Sequence, residues 1–329
     1  MDFWGAKNQW VVGRVSTRHV GLKPDLRPNE LFGIIVIIKA LRKKLKKVVG
    51  VSERQPVVEG PRVIVIHNHI FKNAGSTIDW ALHNNFGKDF IDHRDNASMR
   101  NGASYLGPYL SENKHIKALS THHWILPLPE LPNTRLLKIM MFRDPIERVT
   151  SVYNFEQKQA AGTTPGVDQA RKLNLRDYIL WRMTPKAGAT IRNYHVRKTL
   201  PPRKARQEDI SEQEMNVSKR FVESVEMLGL VERFDESMVL FEETLKSNYP
   251  DIDLSHIPQN IGQNVKESRQ ARIERMRVEI GEDVFQLLLE KNQADIELYE
   301  WAEKEIASRI AKIPNFQEKL ADFESRCNA

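Results

Sequence analysis

"HIFKNAGSTIDW", residues 69 to 80, decides how the chain is read. A lysine stands three residues before Gly75-Ser76-Thr77, and apolar residues follow at Ile78, Ala81, Leu82 and Phe86, one face of a helix. Ahead of it "RVIVIH", residues 62 to 67, is a β-branched run that reads as a buried strand. The order is strand, loop, helix. The first N–H groups of such a helix lack partners and carry partial positive charge, so they attract phosphate or sulfate. Ser76 and Thr77 add hydroxyl donors, and Lys72 can reach over the loop as a point charge. Read alone, the stretch is equally an ordinary βα turn with a serine cap. It lacks G-x-x-x-x-G-K-[ST], which argues against a standard ATPase.

"LLKIMMFRDPIERVTSVY", residues 136 to 153, is a second constellation of the same kind. Leu136 to Phe142 reads as another buried strand. Asp144 is placed to cap a helix, with Pro145 in its first turn and Glu147 completing a box-like pair. Arg143 then sits where the strand ends, and Ser151 lies about two helical turns further on. Together they can grip one phosphate. The alternative is a structural arginine and a surface serine. Two anion sites on two strand-loop-helix units point to a ligand with phosphates at both ends.

These two motifs resemble those of the PAPS-dependent sulfotransferases. "HIFKNAGST" is similar to their 5′-phosphosulfate loop, a His-Ile-x-Lys-x-x-Gly-[Ser/Thr]-[Ser/Thr] pattern. "FRDPIERVTSVY" is similar to their 3′-phosphate motif, Arg-Asp-Pro-x-x-Arg with a serine eight positions after the first arginine. "LGLVERFDESMVLFEE", residues 228 to 243, and "NQADIELYEWA", residues 292 to 302, resemble the carbohydrate branch, which includes heparan-sulfate 2-O- and 6-O-sulfotransferases. The matches run from about residue 62 to 302. Phe71 stands where proline is common, and Asn73-Ala74 where Thr-Gly is common.

The resemblance implies roles. Lys72 would stabilise charge on the bridging and terminal oxygens of the sulfuryl group. The loop Asn73, Ala74, Gly75, Ser76 and Thr77 would hold the 5′-phosphate, and Arg143 and Ser151 the 3′-phosphate. Transfer would be an in-line displacement from PAPS, leaving PAP, with positioning and electrostatics supplying most of the effect. A sulfuryl group carries less charge than a phosphoryl group, and no metal is expected. The acceptor hydroxyl needs a base, and histidine suits near-neutral pH. "HIKALSTHHWILPLPE", residues 115 to 130, resembles the family segment that ends a strand in Gly-His-x. His122 aligns best, with Thr121 in place of glycine, and His123 stands beside it; both also read as loop or structural histidines. "HNH", residues 67 to 69, raises a metal pair, with His69 ordering the loop as the simpler reading.

"IRNYHVRKTL", residues 191 to 200, faintly resembles the family's Asn-x-Gln-x-Arg segment near the acceptor, with His195 in place of glutamine. Arg192, His195 and Arg197 are therefore candidate acceptor residues, within an expected acceptor-binding insertion or lid at 155–218. Arg192 and Arg197, with Lys198, suit an acidic glycan or form a solvated basic face. Residues 281–310 read as helix, with no functional role assigned.

The chain has 329 residues, 50 Lys+Arg, 43 Asp+Glu and a net charge of +7. Residues 1–60 hold 12 Lys+Arg against 5 Asp+Glu, so this segment carries the whole excess. A globally basic nucleic-acid binder is patterned otherwise, and no nucleic-acid partner is expected. "LFGIIVII", residues 31 to 38, precedes "LRKKLKK", residues 41 to 47. Eight apolar residues are too few for a bilayer span, which takes about 20. Residues 31–47 read either as a buried element with a solvated basic turn or as peripheral contact with an anionic membrane. One cysteine, Cys327, excludes a disulfide framework. Residues 1–12 contain no signal-peptide h-region. Since Golgi members of the family are membrane-anchored, a bacterial-type cytoplasmic enzyme is implied.

The expected fold is α/β, a P-loop-like three-layer fold with a central parallel sheet flanked by helices. It would comprise a basic extension at 1–60, a sulfotransferase domain at 61–312 and a C-terminal tail at 313–329. The expected function is sulfuryl transfer from PAPS to a carbohydrate or other hydroxyl. The alternatives are a P-loop small-molecule kinase, or a non-catalytic protein that binds anions or a membrane surface.

Overall fold

The structure is a computed structural model that describes residues 61–202, 209–257 and 267–328. The N-terminal extension, with its basic stretch at 31–47, lies outside the described residues. Residues Glu59–Ala329 form one compact unit. The elements run β1 (Arg62–Asn68), α1 (Gly75–Phe86), β2 (Phe90–His93), α2 (Asn96–Met99), α3 (Ala103–Glu112), β3 (Ala118–Thr121), β4 (Thr134–Phe142), α4 (Pro145–Gln157), α5 (Pro165–Ala170) and α6 (Leu175–Arg182). Then come α7 (Tyr194–Thr199), α8 (Glu212–Glu223), β5 (Met227–Leu230), α9 (Phe234–Leu245), α10 (Arg269–Ile280), α11 (Glu282–Lys291), α12 (Gln293–Ile310) and α13 (Phe316–Cys327).

The five strands form one sheet in the order β2-β3-β1-β4-β5, with every pairing parallel. The expected α/β architecture is the observed one. Ile64, Val65 and Ile66 of β1 are fully buried. A continuous apolar run is what a parallel strand covered on both faces requires. Val65 faces a core shared with Ile78, Ala81 and Leu82 of α1, and Ile64 and Ile66 face one shared with Leu106 and Leu110 of α3. From β1 the chain runs outward to β2 and back to β3, then crosses to β4 and β5 on the other side. The loops after β1 and β4 therefore leave the sheet in opposite directions. The crevice between them, at the carboxyl ends of the strands, is where open α/β sheets bind ligands.

The described part of 155–218 is packed against the rest of the domain. Ala170, Leu175, Tyr178, Ile179 and Ile191 pack with Val149 and Val152 of α4 and with Ile280 and Leu288 of α10 and α11. Within the C-terminal segment, α13 (Phe316–Cys327) is a packed helix. Phe323 of α13 is fully buried in the main core, and Arg326 pairs with Glu242 of α9 at 2.9 Å. Sequence periodicity shows a helix but not what covers its apolar face. The helix expected over 281–310 is also divided, at Asn292. Its Nδ2 donates to Ile191 O at 2.9 Å, and its Oδ1 accepts from Asn193 N at 3.1 Å. No helix among the described residues is long and apolar enough to cross a membrane.

Candidate anion-binding and active site

The loop between β1 and α1 holds two non-glycine residues at positive φ, Lys72 at 66° and Ala74 at 57°. Left-handed backbone costs a side-chain-bearing residue energy and persists where surrounding structure enforces it. Here it turns the chain tightly from strand into helix. Ala74 is the N-cap of α1 and provides no side-chain cap. The serine cap that would make this an ordinary turn is not formed: Ser76 is exposed and lies inside the helix. Thr77 N donates to Ala74 O at 3.1 Å, and the Gly75 and Ser76 amides precede it in the first turn, where an outside acceptor can be met. Gly75 is dictated by its neighbour, since a Cβ there would stand 2.5 Å from His69 Nε2.

Arg143 leaves the end of β4, and its Nη1 donates to Lys72 O at 3.3 Å. This contact joins the two motifs, which lie 71 residues apart in the chain. Asp144 caps α4 as expected, accepting from Ile146 N and Glu147 N at 2.9 Å each, with Pro145 in the first turn. The box is only half made, because Glu147 turns away to pair with Arg272 of α10. Asp144 pairs with Arg269 at 3.0 Å. The acids of the motif are neutralised from α10, whereas neither Lys72 nor Arg143 forms a close ion pair among the described residues. Arg143 acts on Glu232 only at longer range, where burial raises the carboxyl pKa and the guanidinium offsets part of the rise. Burial lowers the Lys72 pKa, and the nearby charges of Arg143, Lys158 and Arg148 lower it further. Crowded, partly desolvated cations of this kind favour an anion in their midst.

The remaining site residues divide between the crevice and its support. Ser151 of α4 is half-buried, on the same face as Phe155 one turn later. Phe155 meets Phe71 edge-on at 5.2 Å and lies 4.7 Å from Lys72 Nζ. Asn73 points inward, its Nδ2 donating to Met141 O at 2.8 Å and to His195 Nε2 at 2.9 Å. Thr77 is buried in the first turn of α1. His195 is 1% exposed, and burial holds its pKa well below the usual histidine value, reinforced by Arg148 and Arg143. It braces the loop from beneath through Asn73. Arg192 is also buried, donating to Gly188 O at 3.1 Å. Arg197 is half-buried on α7.

His122 and His123 follow the last residue of β3, Thr121, so strand alternation does not govern them. His122 Nδ1 donates to His69 O at 2.8 Å, which leaves Nε2 as the basic nitrogen. Burial lowers its pKa to about 4, and neighbouring His69 adds to the shift. His123 is also half-buried, and burial lowers its pKa, with Lys198 and Arg100 contributing. Lys198 Nζ reaches His122 O at 3.2 Å.

Several supporting residues escaped the sequence reading. Asp79 of α1 accepts from His67 Nδ1 at 2.8 Å and from His69 Nδ1 at 2.7 Å. Burial works against its ionisation, yet the two histidine hydrogen bonds hold its pKa far below the carboxylate range. The three residues bring ligand-type atoms within 4.8 Å of one another. Both Nδ1 atoms are committed to the carboxylate, and Arg94 stands 3.2 Å from it, so the geometry is that of a hydrogen-bonded cluster. His67 on β1 and His69, one residue past its end, both reach Asp79 of α1. The histidine pair was readable in the sequence, although its partner was not. Arg148, 2% exposed, donates from Nε to Phe71 O at 3.0 Å and from Nη1 to Thr190 O at 2.9 Å. Burial lowers its pKa to about 10. Glu232 accepts from Asp144 N and Tyr299 Oη at 2.9 Å each, and burial raises its pKa. Asp295 of α12 accepts from His195 N and Val196 N at 2.9 Å each, and burial raises its pKa to about 6.

Fold and site together define a parallel α/β protein in which the side chain of Arg143 holds the backbone of the Lys72 loop at the carboxyl edge of the sheet. The chain belongs to one family with an uncharacterized protein of Archaeoglobus fulgidus, to which it is 30% identical over 258 residues, covering 73% of this chain and 95% of that one. No family model matches the chain.

Proposed function

We propose that the protein is a PAPS-dependent sulfotransferase of the carbohydrate branch, moving a sulfuryl group to a hydroxyl, with a glycan as the acceptor class. The carrying observation is the convergence of Lys72 and Arg143. They come from separate strand-loop-helix units on adjacent strands, Arg143 Nη1 donates to Lys72 O at 3.3 Å, and neither forms a close ion pair among the described residues. One cation per unit suits a donor with a phosphosulfate at one end and a 3′-phosphate at the other. In this reading the amides at the start of α1 bind the 5′-phosphate, and Lys72 meets charge developing on the sulfuryl and bridging oxygens. Arg143 and Ser151 bind the 3′-phosphate. His122, with Nδ1–H fixed on a carbonyl, takes the acceptor proton at Nε2. Charge on the donor is met by side chains and amides, and no metal is assigned a role. A cytoplasmic setting, with residues 31–47 against an anionic membrane, completes the proposal.

Thermal melting with PAP, ADP and ATP tests it. A stabilising shift with PAP that exceeds those with ADP and ATP supports the donor assignment. A shift with ATP alone assigns a kinase, and none a protein without a nucleotide site.

A further inference from the structure

The His69 imidazole is 8% exposed, and its two nitrogens have different circumstances. Nδ1 is tied to Asp79 Oδ2 at 2.7 Å. The other carboxylate oxygen is held by His67 at 2.8 Å, so Asp79 cannot rotate away. The ring face is fixed against Gly75, the first residue of α1, and His122 closes over it at a ring separation of 4.1 Å. Nε2 makes no hydrogen bond among the described residues. It occupies the space that a side chain on Gly75 would fill. Side chains on a helix lean toward its N-terminus, so this nitrogen sits at the rim of the uncapped first turn.

We propose that His69 is a direct, proton-carrying ligand of the oxyanion at the N-terminus of α1: the anion binds together with a proton that comes to rest on His69 Nε2. The proposal rests on reading this loop as an oxyanion site. A neutral imidazole with Nδ1–H directed at Asp79 turns a lone pair toward the rim, and a lone pair repels an anion. Protonation converts it into a charge-assisted donor. The groups around the ring are mixed in charge. Asp79 on α1 supplies negative charge, and Arg94 after β2 stands 3.2 Å from that carboxylate. His67 on β1 and His122 after β3 are neighbouring rings. A bound dianion would add negative charge beside Nε2. The complex takes up a proton from solvent, and affinity falls as pH rises, by at most about tenfold per pH unit for one proton.

The test is calorimetric titration of the full chain with PAP and, separately, with inorganic sulfate, at pH 8 in buffers of different ionisation enthalpy. Sulfate remains a dianion, and the phosphates of PAP, with a second pKa of about 6, are ionised there, so uptake reports the protein. The wild type takes up a fraction of a proton, at most one, per anion. His69→Asn abolishes the uptake and His122→Asn retains it. Because His69→Asn disturbs a buried cluster, ¹⁵N spectra of wild-type histidines with and without sulfate give a second reading, in which His69 alone gains an Nε2 proton. Anion binding without proton uptake, or uptake that persists in His69→Asn, overturns the proposal. Sulfate bound with a proton on His69, and no PAP bound, upholds it while removing the PAPS donor from the proposed function.

Discussion

Arg143 Nη1 donates to the carbonyl of Lys72 at 3.3 Å, so the backbone of one motif is anchored by the side chain of the other. The two cations are thereby assembled as one device. Removing Arg143 takes away a support of the loop together with the proposed phosphate ligand, whereas removing the Lys72 side chain leaves the carbonyl contact intact.

Lys72→Ala therefore separates binding from transfer. Its main partner in the proposed reaction is charge that develops as the sulfuryl group leaves. Turnover of PAPS should fall at least about tenfold more than PAP affinity does. Equal losses in the two would mean that Lys72 binds ground state and transition state alike.

Arg143→Ala should weaken PAP binding by about 2 to 4 kcal/mol, the loss of a charge-assisted phosphate contact. Adenosine 5′-phosphosulfate, which has no 3′-phosphate, should lose much less. Calorimetry with both ligands decides it; parallel losses would make Arg143 a loop support only.

His122 and His123 differ in what fixes them. His122 is oriented by the His69 carbonyl at 2.8 Å. As the base, it should contribute about 10²- to 10⁴-fold to turnover, so His122→Ala should cost that much with PAP affinity nearly unchanged. His123→Ala should cost less than about tenfold. A larger loss at His123 would transfer the role to it.

The buried histidines also predict acid sensitivity. Burial lowers the pKa values of His67, His122 and His195 in the folded protein. The unfolded chain, with histidine near about 6.5, then binds more protons, so stability falls as pH drops below that value. The His122 share of the loss is complete near its folded pKa of about 4. Denaturant unfolding from pH 7 to 4.5 should show a declining free energy, less steep in His122→Asn. A flat profile would contradict the burial of these rings as neutral groups.

Gly75→Ala and Phe323→Ala test packing at two points of the domain. The methyl added at position 75 would meet the His69 ring, and overpacking of this kind costs about 1 to 3 kcal/mol, along with anion affinity. Phe323, fully buried on α13, should cost about 3 to 5 kcal/mol when truncated. Chemical denaturation measures both, and a neutral Phe323→Ala would show that α13 is dispensable.

By itself, the sequence determined the local pieces. The β-branched run at 62–67, the apolar strand at 136–142, the helical periodicity after Gly75, and the Asp144-Pro145 cap each depend on neighbours a few residues away, and all of them form. The parallel α/β class followed from their alternation. The tertiary structure decided what depends on distant partners: the strand order, the contact between Arg143 and Lys72, and the neutralisation of Asp144 and Glu147 by Arg269 and Arg272. It also decided which polar residues face the crevice. His195 and Arg192 sit in a basic-looking segment, yet they fold inward because Asn73, Asp295 and the Gly188 carbonyl wait for them there. His69 looked like a loop residue and stands at the helix rim because Asp79, ten residues on, returns beside it on α1. Periodicity records which face of an element is apolar. Which carboxylate or carbonyl meets a given cation is settled only when the chain closes on itself, since hydrogen bonds act over about 3 Å and carry no trace in local composition.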